Sequence, residues 1–223
     1  MAISRLQFAQ AATGFSNSAT VAPAFGSNVA SGSLIVVIVR ATAGTISTVA
    51  DTRSTSYSLV DSNTSTDPCV WMYYGVTGSS GANTVTVTFG NSSNFRWGFA
   101  IEYSGQHASP LDTNDDQTGT GTSDLTLSAI STAGAGVIVV GGGQSGLATY
   151  TAGTDFTMID GTISGEGFDY GGVQEYITSG TVSSYTAHMT SSTTDMYTLV
   201  LGAFLAGGSS PKPWLYQSHT HMA

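Results

Sequence analysis

At 223 residues the chain is long enough to close a full hydrophobic core, and its 40% hydrophobic content excludes a disordered segment. Only 9% of the residues are charged, and the net charge is −9. The five bases, Arg5, Arg40, Arg53, Arg96 and Lys212, are scattered, which excludes nucleic acid and an anionic membrane as partners, because both require clustered Lys and Arg.

ISRLQFAQ and the APAF region read as leading strands. LIVVIV, starting at Leu34, is apolar on both faces and predicts a central strand. Cys69 stands alone, so no intrachain disulfide forms; within CVWMYY it reads as a buried small hydrophobe. Val85, Val87 and Phe89 alternate with Thr84, Thr86 and Thr88, the period of a half-buried strand. Phe95, Trp97, Phe99, Ile101 and Tyr103 share one face of the next strand, with Glu102 opposite, and Trp97 reads as buried. Residues 105–124, GQHASPLDTNDDQTGTGTSD, form the longest irregular stretch, expected to be a functional or mobile loop. GVIVV and 199–205 are again central-type strands, and Tyr185, Ala187 and Met189 repeat the alternation. No window sustains a helical period. After Gly207, GGSSPKPWLYQSHTHMA has the composition of a tether followed by a docking peptide.

These elements recur in order after about 100 residues. Val60-Asp61 matches Ile159-Asp160, Val76-Thr77 matches Ile177-Thr178, Phe89 matches Met189 and Gly105 matches Gly207. The expected fold is therefore all-β: an antiparallel two-sheet β-sandwich, jelly-roll-like, from two pseudo-repeated halves (about 33–105 and 136–207). Residues 1–207 make one domain whose halves share a core, and 208–223 form a C-terminal tail.

No catalytic constellation emerges, and the chain reads as a non-enzyme. Glu102, Glu166 and Glu175 are the only glutamates, and nothing pairs two of them for glycosidase chemistry. His219 and His221 fall short of a zinc ligand set. Asp112, Asp115 and Asp116, with Asn114 nearby, form the one candidate cation site, for calcium, although their spacing is not that of an EF-hand and a solvated loop is the plainer reading. No other cofactor is implied. Trp71, Tyr73 and Tyr170 are the candidates for stacking on sugar rings. Trp214, Leu215 and Tyr216, together with the first ten residues, are the candidate partner-docking elements.

MAISRLQFAQAATG, PAFGSNVASGSLIVVIV, VADTRSTSYSLVDS, GANTVTVTF and IEYSG resemble a loosely defined family of β-sandwich proteins of tailed-phage virions and bacterial surface modules. A D-x-x-G-N-x-Y turn typical of that family keeps its ends here in Asp51 and Tyr57, with Arg53-Ser54-Thr55 in between. The resemblance implies a virion structural or accessory protein (capsid decoration, head fibre or tail appendage) that binds other virion proteins or itself as a homo-oligomer. It carries no catalytic site to transfer. The alternatives are a carbohydrate-binding module and a self-assembling extracellular filament subunit. The N-terminus has no apolar run long enough for a signal peptide, so synthesis in the host cytoplasm, a place in the virion and later release outside the cell are expected.

Overall fold

The computed structural model describes residues 1–208 except 14–16, 94, 166 and 167, and leaves the side chains of 93, 162–165 and 168–170 undescribed. The described residues contain no helix. The first pass supplies β1 (Ser4–Ala12), β2 (Ser18–Val21), β3 (Leu34–Ala41), β4 (Ile46–Asp51), β5 (Ser58–Asn63), β6 (Cys69–Val76), β7 (Val85–Ser93) and β8 (Trp97–Ser104). The second supplies β9 (Gln106–Gly119), β10 (Asp124–Ile130), β11 (Gly136–Gln144), β12 (Tyr150–Ala152), β13 (Thr157–Gly165), β14 (Phe168–Thr178), β15 (Tyr185–Ser191) and β16 (Tyr197–Ala206).

Each pass builds a five-stranded and a three-stranded antiparallel sheet. The first orders its strands β1-β8-β3-β6-β5 and β2-β7-β4; the second orders them β9-β16-β11-β14-β13 and β10-β15-β12. Adding eight to every strand number converts one arrangement into the other. This is a duplicated jelly-roll-like sandwich: the all-β antiparallel sandwich class expected from the sequence is the one observed, with four sheets where two were expected. The β3 and β11 runs lie at the centres of the five-stranded sheets because both faces of each are covered.

The sheets stack as four layers with three cores between them. Ile35, Val37, Trp71, Val85, Val87 and Phe89 fill the core within the first half. Leu125, Ile138, Val140, Tyr150, Met189 and Leu199 fill that of the second. Leu34, Val36, Met72, Trp97, Tyr103, Val139, Val200 and Phe204 form a third core between the five-stranded sheets. The halves thus share a core, and each closes one of its own as well. In the shared layer β3 crosses β11, β5 lies against β9 and β1 lies against β13, the pattern of an internal two-fold axis. The same local bond recurs in both halves: Ser33 N donates to Thr77 Oγ1 at 3.0 Å, and Gly136 N to Thr178 Oγ1 at 2.9 Å.

Two sequence expectations need correcting. Residues 106–119 form the long edge strand β9 rather than a loop, paired with β16 from Tyr197↔Gly119 to Ala206↔Gln106. The polar composition of this segment predicts a loop, but β16 is apolar on both faces and its backbone groups need a partner on each side, so tertiary pairing overrides local preference. APAF contributes only an isolated bridge, Ala24↔Thr84, not a strand.

The family-like turn has a clear structural job. Asp51 Oδ1 accepts from Arg53 N (3.0 Å) and Thr55 N (2.9 Å), while Oδ2 accepts from Tyr57 OH (2.9 Å) and Asn83 Nδ2 (2.9 Å). Ser54, which stands where the family turn has glycine, holds φ at 58°, the left-handed region that glycine enters without a Cβ penalty.

Candidate functional site

The residues that end the two passes meet at the internal two-fold. After Gly105 the chain leaves β8 and crosses to the other half as β9. At the pseudo-equivalent position of the second half, residues 1–3, which lead into β1, lie beside Gly207 at the end of β16. Hydrogen bonds join these segments: the Met1 ammonium donates to Gly207 O at 2.6 Å, and Gly207 N donates to Gly105 O at 2.6 Å. Gly105 has φ 79°, and a Cβ there would collide with Ala2 O, so glycine is what allows the two crossings to touch.

Beside the interrupted crossing lies a cleft of about 390 Å³, lined by residues 1–3, Ala135, 177–179 and 206–208. Its wall is largely apolar. Ile3, Ala206 and the half-buried Ala135 are core residues, while Ile177 is 45% exposed and Met1 93% exposed. Ser179 also lines the cleft, and the hydroxyl of Thr178 is engaged by Gly136. At the pseudo-equivalent corner of the first half, Gln106 Nε2 donates to Gly32 O and bridges the strands. One corner is bridged by Gln106; the other holds the cleft.

The sequence candidates fall as follows. Trp214, Leu215 and Tyr216 lie outside the described residues, as do Glu166, His219 and His221. Trp71 is buried edge-on against Phe89 in the first-half core, with ring centroids 6.3 Å apart, so it is not a sugar platform. It faces inward because β7 covers that side of β6. Tyr73 is half-buried on the same face beside the exposed Leu59, and burial pushes its phenol up. Tyr170 lies in β14 with its side chain undescribed.

The three aspartates do not converge on a cation. Asp112 accepts from Ala133 N (2.6 Å), Asp115 from Ser128 N (2.7 Å) and Asp116 from Asn63 Nδ2 (2.6 Å). Consecutive residues of a strand point to opposite faces, so Asp115 and Asp116 are separated by the β9 backbone. Asn114 Nδ2 donates in turn to Asp61 Oδ2 at 2.6 Å, and these reciprocal amide–carboxylate bonds tie β5 of one half to β9 of the other. Burial pushes the Asp116 carboxyl up; the Asn63 bond opposes this, and the charges of Asp61 and Asp115 add to it. Among the described residues, no three His, Cys, Asp or Glu side chains are grouped to hold a metal ion.

Sequence reasoning missed the buried polar ties. Glu102 is buried and accepts from Gln7 Nε2 (2.7 Å), Ala30 N (2.8 Å) and Ser33 Oγ (2.7 Å). Glu175, also buried, accepts from Tyr103 OH at 2.6 Å and lies 3.5 Å from Arg5 Nε, linking the halves across the shared core. Burial, and then the Glu175 charge, push the Tyr103 phenol well above its ordinary range. The β8 sheet separates Glu102 from Glu175, so they do not face one another across a cleft. His107 and His188 are likewise apart: one bonds Ser109, the other Asp124 and Thr154. The only sequence signal for these ties is a charged residue inside an apolar strand run, which marks a buried group that needs partners.

Comparison with protein-family models gave no match, and neither did comparison with curated protein sequences. No described helix is long and apolar enough to cross a membrane.

Proposed function

We propose that the chain is a structural or accessory subunit of a virion, a capsid-decoration, head-fibre or tail-appendage protein that acts by binding other virion proteins and further copies of itself. The observation that carries this reading is the pairing of a polar-tied β body with an apolar cleft beside Gly207 and Gly208, which precede the segment holding Trp214, Leu215 and Tyr216 in the sequence. The carboxylates of Asp51, Glu102, Asp112, Asp115, Asp116 and Glu175 are spent on hydrogen bonds that hold the sheets and turns together. Edge strand β1 adds Leu6 and Phe8, 50% and 42% exposed, as apolar surface beside unpaired backbone groups. Such an edge suits association by strand addition and apolar burial.

The resemblance to tailed-phage β-sandwich proteins agrees with this role. Immunogold labelling of virions purified from a lysate in which the chain is expressed should decorate the particles. Particles free of the chain by both label and mass spectrometry would defeat the reading. A glycan-binding role keeps some support from Tyr73 beside Leu59 on a partly open face; a glycan array answers it, with no hits counting against it.

A further inference from the structure

The cleft beside Gly207 has a natural occupant within the chain's own sequence. We propose that it receives the Trp214-Leu215-Tyr216 segment of a second copy, so that copies associate by exchanging C-terminal tails. The inference rests on reading residues 214–216 as a docking peptide and adds where they dock and in which molecule.

Three features of the molecule support it. First, the chemistry matches: the cleft is lined by the exposed Ile177 and Met1 and the half-buried Ala135, with Ile3 and Ala206 buried beneath them, and the segment supplies two aromatics and a leucine. Second, the size matches: about 390 Å³ lies in the range of sites that enclose a compact, largely apolar group, roughly 300–1,000 Å³. Third, the exposed side chains of Ile177 and Met1 both line this cleft, where an apolar partner would cover them.

Trans rather than cis docking follows from the connecting residues. Gly208 is part of the cleft wall, so a tail docking in its own molecule would have to double back on the rim from which it starts. The connector Ser-Ser-Pro-Lys-Pro carries two prolines in three residues, and proline favours an extended chain of about 3.1 Å per residue. By composition alone, five residues of this kind span about 15 Å when extended. A two-fold pair of molecules satisfies both tails and both clefts at once.

The test uses the full chain. Sedimentation should show a concentration-dependent dimer or larger closed assembly. Ile177→Asp, which places a charge in the cleft, and Trp214→Ala should each raise the dissociation constant about 30-fold or more while circular dichroism stays unchanged. Ser179→Cys in one chain and Leu215→Cys in a second, size-tagged chain should yield a disulfide-linked heterodimer on mixing and mild oxidation; the native Cys69 is buried. A full chain that stays monomeric at every concentration would overturn the proposal, as would assembly insensitive to both substitutions. Carrying both cysteines on one chain and recovering only an intramolecular disulfide would assign the tail to its own cleft and likewise overturn it. These readouts come from purified protein alone, so their failure is distinct from failure of virions to carry the chain.

Discussion

Across the shared core the first half presents Ile38, Met72 and Trp97, and the positions that receive them in the second half are Gly141, Gly202 and Gly171. A Cβ on Gly141 would lie 2.8 Å from Ile38 Cδ1, one on Gly202 2.8 Å from Met72 Sδ, and one on Gly171 would overlap Trp97 Cζ2. Two duplicated sheets related by a two-fold present like surfaces to each other, and like surfaces that are both convex cannot interdigitate. The halves have diverged into bulk on one side and space on the other, which lets close-packed density be reached without strain. The same asymmetry appears at the crossings, where one corner is bridged by Gln106 and the other is open.

The largest expected effect comes from removing the bulk. Trp97→Ala should cost about 3–5 kcal/mol in urea-unfolding stability, because Gly171 and Gly142 cannot refill the space. Filling the space from the other side, with Gly171→Ala, should cost about 1–3 kcal/mol. In a double-mutant cycle the two losses should be less than additive, since the truncated Trp97 makes room for the new methyl group. Strict additivity would show that knob and hole are not coupled.

The two halves differ also in the turn after their fourth strand. The first half uses Asp51 as the acceptor of four hydrogen bonds; the second uses Gly153 N donating to Gln174 Oε1 (2.9 Å) and a Phe156 N–Gly153 O bond (3.1 Å). Burial raises the Asp51 carboxyl, but the bonds from Thr55, Asn83 and Tyr57 outweigh it and hold the group below its ordinary range. A carboxyl depressed in the folded state adds stability that is full above its unfolded value and is lost as pH falls through the folded one. Asp51→Asn should therefore cost about 2 kcal/mol at neutral pH, with the deficit shrinking as the pH drops below the carboxylate range. A deficit that stays constant down to strong acid would exclude this source.

The smallest expected effect is a gain. Ser54→Gly should relieve the left-handed backbone and raise stability by about 0.5 kcal/mol, the steric relief being partly offset by the greater freedom of glycine in the unfolded chain. No change in the thermal midpoint would show that the four bonds to Asp51 hold the turn without residual strain.

Much of the architecture was legible in the chain. The alternation of Val85, Val87 and Phe89, the doubly apolar runs of β3, β11 and β16, and the step-for-step recurrence ending at Gly105 and Gly207 all survive in the structure. The candidate site was legible only at its edges. Trp71 looked available because its strand carries large side chains on both faces, and only the packing of β7 decides which face is inside. Asp112, Asp115 and Asp116 looked like a cluster because they are close in sequence, whereas strand geometry sends neighbours apart.

Periodicity and composition are local properties, and they determined by themselves that this protein is all-β, duplicated and built around apolar central strands. Which sheet meets which, that a polar stretch becomes β9, that the glycines of one half lie under the large side chains of the other, and that Met1 closes against Gly207 beside an open cleft were decided only by the tertiary structure. Those features depend on pairing between residues tens to hundreds of positions apart. Such pairing is favourable only when the whole set of sheets is assembled, and no window of sequence contains it.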